Sequence, residues 1–410
     1  MITSLKVSNF RCLRSIEVAL GGLTVLIGKN DTGKTSFLDA ILALGSLVQG
    51  GDDNAPPWTF ENALSRGAAE GRIEWLARVA PSPRNELPGA ARYRLALGPP
   101  GATGPRTQVA LEEGTIDGAD ASVCLGGATD ARNAGERGRF ARERGEERGP
   151  VQSHLTALSE VRGQRGFENL NRLRTSVASV VKYRIDPARL SQSSPLLEND
   201  GRLAFDGSGL PSALDHLLGT DREAFDLVEN ELGMAIPQIR RIRLRTAKVP
   251  APGRPQEVAG KALHFELRAG GDVPASQVSD GALLVLAYLT LLYGPDAPAI
   301  LLIEEPENGI HPRQLERVVR YLRSLTGEER AARRCQVVVA THSPYLLDFV
   351  DRSEVVVFGR RDDGASVAVP LQQLRGVNER LEAGYTLGEL WYTAGENELL
   401  RDVLAGSPAP

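Results

Sequence analysis

Eight consecutive residues, Gly28-Lys29-Asn30-Asp31-Thr32-Gly33-Lys34-Thr35, have the types and spacing needed to hold a nucleoside triphosphate. They complete a G-x-x-x-x-G-K-[ST] pattern, and Ser36 extends the segment. Gly28 and Gly33 let the backbone turn tightly, so that successive N–H groups and a helix N-terminus point at a phosphate chain. Lys34 can then reach the β- and γ-phosphates, and the Thr35 hydroxyl can ligate the magnesium ion that bridges them. ATP and Mg2+ are the expected ligands.

Two further segments supply the rest of a hydrolytic site. Ile300-Leu301-Leu302-Ile303-Glu304-Glu305-Pro306-Glu307 is an apolar strand ending in adjacent acids. In a phosphate-loop ATPase the first acid holds the magnesium and the next polarises the attacking water, so Glu304 is assigned to the metal and Glu305 to the general base. Gln336-Val337-Val338-Val339-Ala340-Thr341-His342 is a second apolar strand, and it delivers a histidine at its C-terminal end. Ligands of open α/β sheets bind at that edge, which puts His342 near the γ-phosphate. His154, His216 and His264 lack such a setting and read as structural.

These side chains need a scaffold. Leu23 to Ile27 reads as a strand, and the helix after the loop sets Phe37, Ile41, Leu44 and Val48 on one face before stopping at Gly50-Gly51. Ile2 to Val7 and Ile16 to Leu20 read as strands. From 71 to 125, Arg72 to Leu76, Ala91 to Leu97 and Gln108 to Leu111 alternate polar and apolar residues, which predicts an antiparallel meander with one wet face. Val278-Ser279-Asp280-Gly281-Ala282 opens a helix, Leu283 to Tyr293, that is apolar nearly all round and therefore buried.

Residues 126–150 mix Gly, Arg and Glu, and the interleaved charges read as a solvated, flexible insertion rather than a basic arm. Further strands are expected at Val181 to Ile185, Ile239 to Leu244 and Ala262 to Leu267, with helices at Phe167 to Val180 and Asp221 to Leu232. In the segment Arg240 to Lys248, alternation puts Arg241, Arg243 and Arg245 on one strand face, spaced about 7 Å apart. They could follow the phosphates of duplex DNA, or simply keep an edge strand soluble.

The chain has 410 residues, 41% hydrophobic and 24% charged, with a net charge of −4. That is ordinary globular composition, with no global bias toward nucleic acid or anionic membrane. The three cysteines, Cys12, Cys124 and Cys335, lack metal spacing and fit a reducing compartment. No apolar run reaches the roughly 18 residues of a membrane helix, so a cytoplasmic protein that does not engage membranes is expected.

The order of phosphate loop, Ser-Asp-Gly helix start, strand with Glu-Glu-Pro-Glu and strand with Thr-His-Ser resembles the ABC-type ATPase heads of the SMC, RecF and OLD families. OLD-like and RecF-like ATPases are the most similar, through Ser279-Asp280-Gly281, Glu304 to Gly309, and His311-Pro312. The resemblance implies an α/β fold: a P-loop NTPase of ABC type, with a mixed central sheet, an antiparallel β-meander and a helical lobe. It covers 1–358, with lobe I at about 1–150 and 297–358, the helical signature lobe at about 151–296, and 359–410 as a C-terminal extension. It also implies a homodimer closed on nucleotide. Ser279, Asp280 and Gly281 would serve a partner's γ-phosphate in trans, Asn308, Gly309 and His311 would cross the dimer interface, and His342 would be the switch histidine. Asp280 stands where many ABC proteins have Gly, Ala282 where they have a polar residue, and Glu304 where they have Asp. The Q-loop glutamine has three candidates, Gln152, Gln164 and Gln192. About fifty residues follow Phe358, short of the roughly one hundred of a typical small domain, and Asp362-Asp363 are adjacent, so no TOPRIM-type nuclease is expected.

The expected function is an ATPase whose ATP-dependent dimerisation switches a DNA-linked process such as repair or defence against foreign DNA. The alternative is a slow ATPase scaffold or sensor that presents or restrains a separate nuclease or toxin effector.

Overall fold

In a computed structural model, the residues described are 1–50, 59–66, 68, 71–99, 108–125, 139–143, 146–148, 156–196, 201–250, 256–294, 297–327 and 335–404. Strands are numbered β1 to β18 along the chain. The central sheet has the order β10 (Val180–Tyr183), β15 (Ile300–Glu304), β16 (Gln336–Thr341), β3 (Leu23–Ile27), β17 (Val355–Arg360), β18 (Ser366–Pro370). Its first five strands run parallel, and β18 turns back antiparallel on β17.

Both faces of this sheet are covered, which explains why its strands read as unbroken apolar runs rather than alternating ones. Val25, Ile27, Leu301, Ile303, Val337 and Val339 enter one core, and Leu26, Leu302, Val338 and Phe358 enter the other. Helices of ten residues or more are numbered α1 to α7. The first core lies under α3 (Leu210–Thr220), α4 (Arg222–Ala235), α5 (Asp280–Tyr293), α6 (Pro312–Thr326) and α7 (Leu387–Leu399). The second is closed by α1 (Lys34–Gln49), α2 (Glu168–Ala178) and the antiparallel sheet. As its composition requires, α5 is buried nearly all round, from Ala282 to Thr290.

The antiparallel sheet runs β2 (Leu13–Ala19), β1 (Ile2–Phe10), β4 (Ile73–Val79), β5 (Ala91–Gly98), β6 (Gln108–Ile116), β7 (Ala121–Leu125), β8 (Arg139–Glu143), β9 (Glu146–Arg148). It is the expected meander, extended at both ends. Trp75 Nε1 donates to Ala40 O at 2.9 Å and ties β4 to α1. Gln336 joins the two sheets: its side chain accepts from Ile2 N at 3.2 Å and donates to Ile2 O at 2.7 Å and Gly21 O at 2.8 Å. A third sheet is built on the hairpin of β12 (Ile239–Pro250) and β13 (Glu257–Leu267), with β11 (Ser194–Pro195) and β14 (Asp272–Pro274) also pairing β13.

Three expectations change. Within the insertion expected at 126–150, residues 139–143 and 146–148 are strands of the meander, because their backbone continues the ladder, β8 antiparallel on β7 and β9 on β8; residues 126–138, 144–145 and 149–150 lie outside the described residues. The boundary expected after 358 cuts β17 (Val355–Arg360), and β18 continues the central sheet, so residues 359–370 belong to the same sheet as the phosphate loop's strand. The lobe expected at 151–296 contributes β10 to the central sheet and α2 to the core beneath α1. Among the described residues, no helix is long and apolar enough to cross a membrane.

Candidate functional site

All five parallel strands end at one edge of the central sheet, and each delivers a side chain or loop there. From β3 comes the phosphate loop, from β10 Arg184, from β15 Glu304 and Glu305, from β16 Thr341 and His342, and from β17 Arg360. Together with Cys12 they line a cleft of about 500 Å³ that includes every residue from Asn30 to Ser36. This is the strand edge at which open α/β sheets bind ligands. A cavity of about 220 Å³ near Met1 and Gln336 and another of about 630 Å³ on the meander near Lys6 and Arg94 share none of these residues.

The loop is held in the shape a phosphate requires. Gly33 has φ of 103°, and a Cβ there would meet Ser366 Oγ at 2.3 Å. A Cβ on Gly28 would meet Phe358 O at 2.4 Å, so neither glycine has a substitute. Asp31 is also left-handed, φ 62°, and its carbonyl accepts from Arg360 Nη1 at 3.2 Å. Lys34, 9% exposed, folds back to donate to Gly28 O at 2.6 Å and Lys29 O at 2.7 Å. Burial lowers its pKa, against the opposing pull of Glu396 and Glu305. A triphosphate would add the counter-charge that offsets the burial of this ammonium.

Glu304 is 6% exposed and lies 3.3 Å from Lys182 Nζ, which also donates to Asp39 Oδ1 at 2.6 Å. Arg11 pairs with the same Asp39. The buried Glu304 Oε1 accepts no hydrogen bond. A buried carboxylate whose Oε1 has an ammonium ion-pair partner but no hydrogen bond can ligate a hard cation, and Thr35 lines the same cleft. Glu305 is left-handed at φ 49°, a strained conformation pinned by its N–H donating to Ala340 O at 2.8 Å. Its two oxygens face different side chains: Oε1 is 3.7 Å from His342 Nδ1, and Oε2 is 3.1 Å from Arg184 Nη2. Glu307 accepts from the buried Thr341 hydroxyl at 2.6 Å and so locks β15 to β16.

The signature segment does not reach this cleft. Ser279 caps α5 by position without a side-chain capping bond, and both it and Asp280 are exposed. A Cβ on Gly281 would sit 3.6 Å from Gly309 O, so signature and Asn308 to His311 loop form one surface. His311 is the N-cap of α6, its Nδ1 accepting from Arg313 N at 3.2 Å. On β12, Arg241, Arg243 and Arg245 share an exposed face as expected. Yet Arg243 pairs with Glu266, holding that carboxyl below its ordinary range, and Arg245 pairs with Asp272. Of the three glutamines, Gln152 lies outside the described residues, Gln164 donates to Glu160 O, and Gln192 sits beside Arg189.

Sequence reasoning missed Cys12, Arg184, Arg360, Lys182 and Glu396. For Arg360 a signal existed, since it ends the apolar run Val355 to Phe358 much as Glu304 ends its own. Glu396 had none: it is 6% exposed and accepts from the phosphate-loop Lys29 N–H at 2.6 Å across 367 residues of chain.

Residues 132–348, more than half of the chain, match the family described as "AAA domain, putative AbiEii toxin, Type IV TA system". Residues 1–49 match an AAA ATPase domain. The chain is 26% identical over 414 residues to the OLD nuclease of Thermus scotoductus, covering 98% of this chain and 70% of that protein. Its fold is similar to that of an Smc head bound to the C-winged helix domain of ScpA, with a TM-score of 0.52, 14% identity, and 90% and 97% of the two chains covered. An Smc head with an extended coiled coil, bound to the C-terminal domain of ScpA derived from Pyrococcus furiosus, gives a TM-score of 0.50 at 12% identity, covering 93% and 99%. The chain belongs to the AAA-domain family so described and is an ATP-hydrolysing P-loop ATPase, similar to the OLD nuclease in sequence and to Smc heads in fold.

Proposed function

We propose that ATP is hydrolysed in the cleft at the strand ends, with Glu305 accepting the proton of the attacking water and His342 facing the γ-phosphate. The observation that carries this reading is the convergence of Lys34, Glu304, Glu305 and His342 on one cleft from the loop after β3 and the ends of β15 and β16. The backbone N–H groups of residues 30–36 and Lys34 hold the phosphates. Thr35 and Glu304 would hold a magnesium ion, which supplies charge neutralisation between the phosphates. Glu305 is preorganised by its strained, hydrogen-bonded backbone.

The ATPase works as a nucleotide-closed homodimer. Ser279 and Gly281 reach a partner's γ-phosphate, and Asn308, Gly309 and His311 meet the partner's surface. Support comes from the exposure of Ser279 and Asp280 and from their continuity with the Gly309 loop, away from the chain's own phosphate loop. Dimerisation switches a DNA-linked process, repair or defence, with Arg241 and its neighbours on β12 as the DNA face. One observation favours the second reading, a slow ATPase that restrains a nuclease or toxin effector: Arg184 occupies one oxygen of the general base.

Turnover separates these. Lys34→Ala abolishes nucleotide binding, whereas Glu305→Gln retains binding and slows hydrolysis roughly a hundredfold or more. Specific activity rises with protein concentration, and an inactive Ser279→Arg protein is partly rescued by mixing with Lys34→Ala, since one composite site is intact. A monomer fully active at high dilution would refute the dimer. Duplex DNA raises turnover in the first reading and leaves it unchanged in the second. Replacing Arg241, Arg243 and Arg245 with glutamine flattens the slope of log K against log salt by about one per phosphate contact.

A further inference from the structure

The cleft contains a cation to which hydrolysis has so far given no task. Arg184 leaves the end of β10, the strand beside β15, and its Nη2 lies 3.1 Å from Glu305 Oε2. Its main chain is fixed, the N–H donating to Phe205 O at 2.9 Å and the next residue, Ile185, buried in the core. Its side chain is 57% exposed and lines the same cleft as the phosphate loop. A guanidinium on a fixed stem, with one weakly buried partner and a phosphate site within the same cleft, can exchange one anion for the other.

We infer that Arg184 is the residue that distinguishes a triphosphate from a diphosphate. Without a terminal phosphate it pairs with Glu305. A γ-phosphate arriving beside Glu305 offers a higher charge and several oxygens to the planar fork, and the guanidinium transfers to it. Glu305 Oε2 is thereby released, with His342 still near Oε1, and can take the proton of water. A diphosphate puts no group there, and the ion pair stays closed. The release step rests on Glu305 being the base, whereas the triphosphate preference does not.

The test measures affinities for ADP and for adenylyl imidodiphosphate, a triphosphate analogue that is not hydrolysed, in magnesium buffer. Arg184→Ala is expected to lower the triphosphate-over-diphosphate preference about tenfold or more, the weight of one charge-assisted hydrogen bond, with ADP affinity unchanged. Arg184→Lys restores part of it, because a point charge lacks the fork. Glu305→Gln frees the guanidinium and tightens analogue binding several-fold, and that gain disappears in the Arg184→Ala/Glu305→Gln protein. An unchanged preference in Arg184→Ala, equal loss for both nucleotides, or strictly additive effects in the double variant would overturn the assignment. Thermal unfolding checks that each variant is folded, and if Arg184→Ala is not, Arg184→Lys and Glu305→Gln carry the same comparison. Normal turnover in Glu305→Gln would refute the base, whereas the role of Arg184 stands or falls on the ratio of the two affinities.

Discussion

Cys12 shows how close the antiparallel sheet comes to the nucleotide. Its Sγ is 3.5 Å from Ser36 Oγ, and a Cβ on Gly33 would meet it at 3.2 Å. Cys335 is 1% exposed, and burial pushes its thiol up to about 12, so it stays protonated at neutral pH and does not react. In a Cys124→Ser background, iodoacetamide should therefore modify Cys12 alone, and saturating ATP should slow that modification at least several-fold; mass spectrometry of the two peptides reads both. The residues legible in the sequence are those whose chemistry is local. Gly28 to Ser36 carry their spacing in eight or nine positions, and Glu304-Glu305 announce themselves at the end of an apolar run. Lys182 and Arg184 are not legible, because what defines them is that β10 lies beside β15, a pairing between residues 120 positions apart, as in Val180 with Ile300.

At the scale of elements, α7 is the unexpected part of the site. Gly395 breaks the helix at φ 65°, and the next residue, Glu396, turns its carboxylate onto the phosphate loop. A fixed negative charge beside Lys34 satisfies a backbone N–H but opposes an incoming polyphosphate. Glu396→Gln should tighten ATP binding several-fold at low ionic strength, with the gain shrinking as salt screens it. The same change should lower stability by about 1–2 kcal/mol, through loss of a charge-assisted hydrogen bond in a buried setting. Equal ATP affinity at low and at high salt, unaltered by the substitution, would show that the carboxylate is only a structural cap. Helices and parallel strands are otherwise legible in the sequence because burial on both faces leaves long apolar runs. Strand ends read short in β12 and β13, since Arg and Lys on an exposed hairpin face carry no apolar signal while the backbone ladder continues to Pro250.

Over the whole molecule, three layers converge on one strand. β3 is a five-residue strand from the first tenth of the chain, yet its neighbours are β16 and β17, with Val25 paired to Val339 on one side and to Val355 on the other. On a ribosome the phosphate loop is thus made long before the strands that complete its sheet. At roughly 5–20 residues per second, more than 300 residues of synthesis separate the loop from its second flanking strand, an interval of about 15–60 s. During that time Leu23 to Ile27, buried on every side in the finished protein, has no sheet to join. Ribosome-stalled chains ending at 330 should therefore fail to retain ATP and leave this segment open to protease. Chains stalled far enough past 370 to clear the exit tunnel should protect it. Nucleotide affinity would then act in the cell as a signal that both strands flanking β3 have been made and paired.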